Sequence, residues 1–188
     1  MRCELLISVL LCFLLLPAPS HAQNRSVSMG LFNSPRGFGA AASFNSEDRR
    51  SFSELSLFAD IYGLPTGRCG EPGVKASFVR NFIFSSFEID DVRLGIFAGP
   101  GVSAGFVKDY EPGYALDITR NHGLCAALCG DIGLRVRFSR GVSLGLSFQA
   151  ELGFHMRRDD DMRANNLAIY KNGLVQSFWP NLSILFDL

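Results

Sequence analysis

The residues from Leu124 to Met156 read LCAALCGDIGLRVRFSRGVSLGLSFQAELGFHM. After the hinge Ser139-Arg140-Gly141, every even position is apolar: Val142, Leu144, Leu146, Phe148, Ala150, Leu152, Phe154 and Met156. The odd positions, Ser143, Gly145, Ser147, Gln149, Glu151, Gly153 and His155, are small or polar. The stretch before the hinge keeps this phase, with Leu124, Leu128, Ile132, Leu134, Val136 and Phe138 set against Cys125, Cys129, Asp131, Arg135 and Arg137. A period of two puts the two sets on opposite faces of a sheet. A half-buried sheet alternates for about 4–8 residues, and here the pattern runs about twice as long. The polar set also carries full charges, which water or a partner must satisfy. A closed barrel in lipid, apolar outside and polar inside, meets both conditions and leaves no backbone edge unpaired in hydrocarbon.

The hinge fixes the register. Phe138 and Val142 both face outward, so the turn has three residues, with Gly141 in the left-handed conformation. Arg135 then stands opposite Gly145, Asp131 opposite Gln149 and Cys129 opposite Glu151. Glycine across from Arg135 leaves room for the guanidinium, which is expected to pair with an acid from a neighbouring strand.

Working outward from this hairpin, eight strands can be laid out at 26–33, 37–45, 52–64, 74–87, 92–107, 124–138, 142–156 and 176–188. The fold class is all-β, an eight-stranded antiparallel transmembrane barrel in an up-and-down meander. The connections 46–51, 88–91 and 139–141 are short. Of those at the other end, 65–72, 108–122 and 157–174 are long and 34–36 is short. Short inner turns, longer outer loops and an even strand count are the asymmetry of an outer-membrane barrel. Two places break the pattern. Pro100 cannot donate to a ladder, so a bulge or bend is expected beside it. Arg80 falls on the apolar face, where an arginine at mid-membrane costs roughly 2–4 kcal/mol. Either it snorkels to an interface or a bulge turns it inward, and the bulge is preferred.

The 188 residues suffice for one domain, and a formal net charge of zero gives no electrostatic case for nucleic acid. Residues 1–22 read as a secretory signal: Arg2 opens it, Leu5 to Leu16 is apolar, and Ser20-His21-Ala22 is a small-x-small cleavage site. The apolar run, about 12 residues, falls short of the roughly 20 a spanning helix needs. Residues 23–188 form the barrel domain. Beyond the signal the cysteines are Cys69, Cys125 and Cys129. Cys125 and Cys129 are about 13 Å apart along one strand, too far for a disulfide.

In this pattern the chain resembles the small eight-stranded outer-membrane barrels of Gram-negative bacteria, the OmpX-like proteins and the transmembrane part of OmpA. The residues that carry the resemblance are the signal, the alternations at 92–106, 124–138 and 142–156, and the aromatic last strand from Phe178 to Leu188. It implies location in the outer membrane, export by a cleaved signal, contact with membrane lipids and lipopolysaccharide, and insertion by the barrel assembly machinery.

Facing inward are Glu54, Asp60, Asp131, Glu151 and Asp187 against Lys75, Arg93, Arg135, Arg137 and Arg157. An eight-stranded barrel is just wide enough for side chains to fill, so these balanced charges are expected to plug the lumen. The reading is a monomer without cofactor or metal. Its role is structural or adhesive, exerted through the outer loops. A lipid-modifying enzyme is an alternative, since Ser147, Glu151 and His155 share an inward face. Their spacing of about 13 Å separates them beyond hydrogen-bond reach. An accessory part of a secretion or uptake complex, with a surface protein partner, is a third reading. Asp159-Asp160-Asp161 could take a divalent cation, though a solvated loop is preferred. Tyr110, Tyr114, Tyr170 and Lys171 are assigned to the outer loops as a contact surface.

Overall fold

The structure, a computed structural model, describes residues 26–34, 36–46, 50–61, 64, 71–108, 122–138, 141–158, 165–172 and 180–188. The signal reading and Cys69 fall outside these. The described residues form nine strands: β1 Val27–Ser34, β2 Gly37–Asn45, β3 Ser51–Asp60, β4 Gly73–Ile89, β5 Val92–Lys108, β6 His122–Phe138, β7 Val142–Arg158, β8 Asn165–Asn172 and β9 Pro180–Asp187. All pairings among them are antiparallel, in the order β6-β5-β4-β3-β2-β1-β9-β7-β8, and β6 also pairs with β7. That last ladder closes the ring.

The ring has eight staves although it has nine strands. β8 and β9 lie on the same side of β7 and run the same way. β9 pairs with its first half, from Val142↔Phe186 to Phe148↔Pro180, and β8 with its second, from Glu151↔Asn172 to Arg158↔Asn165. They are two pieces of one stave. The sequence reading placed the loop 157–174 where β8 stands and began the last strand at 176. The correction has a physical reason. Leu167 and Ile169 are exposed while Tyr170 is buried, which is the period of two. The segment spans only eight residues and is flanked by asparagines that read as loop. Two other bounds also shift. β3 ends at Asp60, where the Ile61 amide turns back to the Arg36 carbonyl. β4 runs on to Ile89, and Asp90 takes the turn with φ of 51°.

The ladder at the hinge sets Arg135↔Gly145, Asp131↔Gln149 and Cys129↔Glu151, the register that the alternation requires. Gly141 has φ of 74°, and its amide bonds the Phe138 carbonyl. Partners can be followed right round the ring. From Ser86 the path passes Gly95, Arg135, Gly145, Ser183, Phe32, Gly39 and Phe58 and re-enters β4 at Lys75, eleven residues away. One of these is the bulge residue between Ile83 and Ser85. A stagger of ten residues over eight staves tilts the strands by about 40°.

The β4–β5 ladder lapses opposite Pro100, between Val79↔Gly101 and Phe82↔Ala98, and resumes in register. Proline has no N–H to give there. The bulge itself lies further along, past Arg80, so it does not turn that residue inward. Arg80 stays on the outer face, opposite Ser53 of β3. It is held by hydroxyls: Nη1 donates to Ser53 Oγ and Nη2 to Ser51 Oγ, both at 2.8 Å. Ser51 is the first residue of β3, so the guanidinium reaches toward the turn end of the barrel. This is the geometry of snorkelling.

At the turn end the connections are 46–50, Asp90–Asp91 and 139–141. The loop end is cut obliquely. β1, β2 and β3 have 8, 9 and 10 residues, whereas β4 to β7 each have 17. Among the described strands β8 pairs with β7 alone, because β1 has already ended at Ser34. The wall from β5 to β8 therefore rises on the order of 15 Å above the β1–β2 turn.

Candidate functional site

Among the described residues, inward-facing charged and aromatic side chains meet in layers along the lumen. Nearest the turn end, Asp187 joins three strands: Ser28 Oγ donates to its Oδ1 at 2.6 Å, and Arg137 forms a close ion pair with its Oδ2. Arg93 stands in register between Glu88 and Arg137.

The middle layer is built on Arg135 of β6. Its Nη2 donates to Glu54 Oε2 at 3.0 Å and its Nη1 to Ser43 Oγ at 3.0 Å. The guanidinium carbon lies 3.7 Å from the centre of the Phe52 ring, the stacked geometry that arginine favours. Phe97 meets Phe52 edge-on at 5.0 Å. Both rings are buried. Phe97 has room because Gly133 faces it: a Cβ there would sit 2.7 Å from Phe97 Cζ. The acid that Arg135 meets is not on a neighbouring strand. Glu54 belongs to β3, three staves round the ring, so the pair crosses the lumen. Nor is the space over Gly145 taken by the guanidinium, since Ser183 Oγ lies 2.3 Å from where its Cβ would be. Asp131 Oδ2 accepts from Asn81 Nδ2 at 3.3 Å beside this layer.

Toward the loop end, Lys75 Nζ donates to Glu151 Oε2 at 2.7 Å, and the Tyr170 hydroxyl reaches the same oxygen at 3.4 Å. The Tyr170 ring stacks on His155 with centroids 6.0 Å apart. His155 Nε2 bonds the Val107 carbonyl at 2.8 Å, which places its proton on Nε2. Tyr170 is 1% exposed. It is an interior residue of β8 rather than part of a loop surface. At the rim Arg36 pairs closely with Asp60.

Of the ten interior charges read from the sequence, Asp60, Lys75, Glu151, Arg135, Glu54, Arg137 and Asp187 stand in ion pairs. Asp131 is hydrogen-bonded to Asn81, Arg93 stands outside these four pairs, and Arg157 lies in β7 with its side chain outside the described residues. Sequence reasoning missed Arg36, because the alternation puts it in the turn 34–36, and the aromatic and amide partners Phe52, Asn81 and Tyr170. Inward phase alone could have found Phe52 and Tyr170, since an aromatic on the polar face has to stack on something.

Of Ser147, Glu151 and His155, the last two are drawn to different partners. Glu151 meets Lys75 and Tyr170, and His155 holds the Val107 carbonyl. Cys125 and Cys129 are buried free thiols. The residues Asp159, Asp160, Asp161, Tyr110 and Tyr114 lie outside the described residues, as does the side chain of Lys171.

No family model matches the sequence, and no curated protein does. Among solved structures the chain is similar to a major outer membrane protein from Thermus thermophilus, at 13% identity, covering 88% of this chain and 100% of that one, with a TM-score of 0.46.

Proposed function

We propose that this chain is an integral outer-membrane barrel of a Gram-negative cell, exported by a signal over residues 1–22, whose role at the surface is structural or adhesive. One observation carries the reading. Among the described residues, twenty-five large apolar side chains stand exposed, from Leu188 at 80% and Ile89 at 72% to Phe138 at 36%. Leaving them in water forfeits on the order of 20–40 kcal/mol, taking 1.5–3 kcal/mol for a fully buried side chain and about half that area here. The net stability of a folded domain is about 5–15 kcal/mol. A hydrocarbon surround removes the deficit, and the closed ladder leaves no edge to satisfy within it. One chain completes the ring, which supports a monomer.

The ion pairs that cross the lumen support a plug in preference to a pore. The tall wall from β5 to β8 supports action at the loop end. The accessory-complex reading draws on the same wall, because among the described residues one side of β8 has no partner strand. Protease treatment of intact cells tests the placement: cleavage within 109–121 or 159–164 is expected, and cleavage confined to 46–50 would refute it. Planar-bilayer recording tests the plug, and stable large channels from the wild-type chain would defeat it. Co-purification from detergent, with and without a charge introduced along β8, separates the adhesive reading from the accessory one.

A further inference from the structure

On the outer face Ser53 stands in register with Arg80, and across the lapse in the β4–β5 ladder Pro100, Gly130 and Ala150 continue the row through β5, β6 and β7. Every residue in it is small except Arg80. Beside Arg80 the row opens into a groove of about 580 Å³ lined by Phe82, Ala98, Pro100, Gly130, Phe148 and Ala150. Phe82 is the shared wall, with its ring 6.0 Å from the Arg80 guanidinium carbon. Gly130 has nothing within 4 Å of a Cβ built on it.

Arg80 differs in its partners from three arginines that face inward. Arg36, Arg135 and Arg137 each meet a carboxylate, whereas among the described residues no carboxylate pairs with Arg80. Two of its five N–H donors go to Ser51 and Ser53. Three N–H groups remain, and the two serine hydroxyls, which accept from Arg80, still have their own protons to donate. This is a fork of donors with a net positive charge and no counter-ion among the described residues, on the wall that the proposed function puts in lipid. It reaches toward Ser51, at the level where β3 begins.

We propose that Arg80, Ser51 and Ser53 bind the phosphate of a phospholipid from the bilayer leaflet at the turn end, with one acyl chain lying in the groove from Phe82 to Ala150. The phosphate oxygens accept the guanidinium and hydroxyl protons, as planar charged forks favour. The tail covers Gly130 and Ala150. This rests on the membrane reading above, and it adds a specific lipid at a specific place on the wall.

The test is native mass spectrometry of the folded chain in non-ionic detergent, given equimolar phosphatidylglycerol and a diacylglycerol with the same chains. Retention of phosphatidylglycerol over diacylglycerol is expected. Arg80→Leu should lower that retention about tenfold while the heat-sensitive gel mobility of the folded barrel is unchanged. Gly130→Phe puts a ring into the groove from a position where a Cβ meets nothing within 4 Å, and should also lower retention with Arg80 intact. Equal retention of both lipids, or wild-type retention by Arg80→Leu, overturns the proposal. Displacement of the phospholipid by millimolar inorganic phosphate overturns the acyl-chain contact, whereas persistence supports it. A chain that stays folded and soluble without detergent defeats the membrane reading itself, and the site with it.

Discussion

Lys75 and Glu151 meet at 2.7 Å across the lumen, from strands three staves apart, with the Glu151 side chain wholly buried. Removing Lys75 takes the ion-pair partner from the buried Glu151 carboxylate. We predict that Lys75→Met destabilises the barrel by about 3–5 kcal/mol, and that Lys75→Met with Glu151→Gln recovers most of the loss. Denaturant unfolding in detergent micelles measures both. Equal losses for the single and double variants would mean the two groups are not coupled.

Phe52 is 0% exposed and carries both the Arg135 stack and the Phe97 contact. Truncating it to alanine should cost about 3–5 kcal/mol. More tellingly, it should loosen the plug. Single-channel recording is expected to show brief conductance steps for Phe52→Ala and a quiet baseline for the wild type. A silent variant that still folds would place the barrier in another layer.

Gly141 lies at a positive φ, and a Cβ there would make only ordinary contact, 3.5 Å from the Asp187 Cβ. The penalty for a side chain is therefore conformational. Gly141→Ala should lose about 1 kcal/mol, and Gly141→Asn less, since asparagine visits this region more readily. The denaturation midpoints of the two variants check the order.

Cys125 and Cys129 face inward and are 4% and 5% exposed. In a Cys69→Ser background, a charged maleimide should leave the folded chain unmodified and label both thiols after unfolding. Rapid labelling of Cys129 in the folded state would show that water passes the middle layer.

The barrel was legible because its strands obey one rule over a long distance. In β7 every even residue from Val142 to Met156 is apolar, and no other architecture uses so long a stripe. The hairpin register followed from the phase of Phe138 and Val142. What escaped was whatever depends on strands far apart in sequence. Glu54 could be read as an interior acid, but its pairing with Arg135 depends on the circumference and the stagger. β8 escaped because a short strand among asparagines looks like a loop. Arg80 was recognised as an anomaly, yet its partners, Ser51 and Ser53, lie on a different strand.

The ladder between β1 and β9 has a consequence for how the ring forms and fails. It has six rungs, from Ser28↔Asp187 to Asn33↔Leu182, against seventeen between β5 and β6. It joins residues 159 positions apart, as in the Ser28–Asp187 hydrogen bond. Most of the other ladders are hairpins that can zip locally, while this one must wait for nearly the whole chain to be in place. Closure is thus one late step resting on the shortest stretch of bonds, with Asp187 clasping Ser28 and Arg137 on its inner side. A molecule made this way comes undone along a seam: the first opening motion is the parting of β1 from β9, with the other staves still zipped.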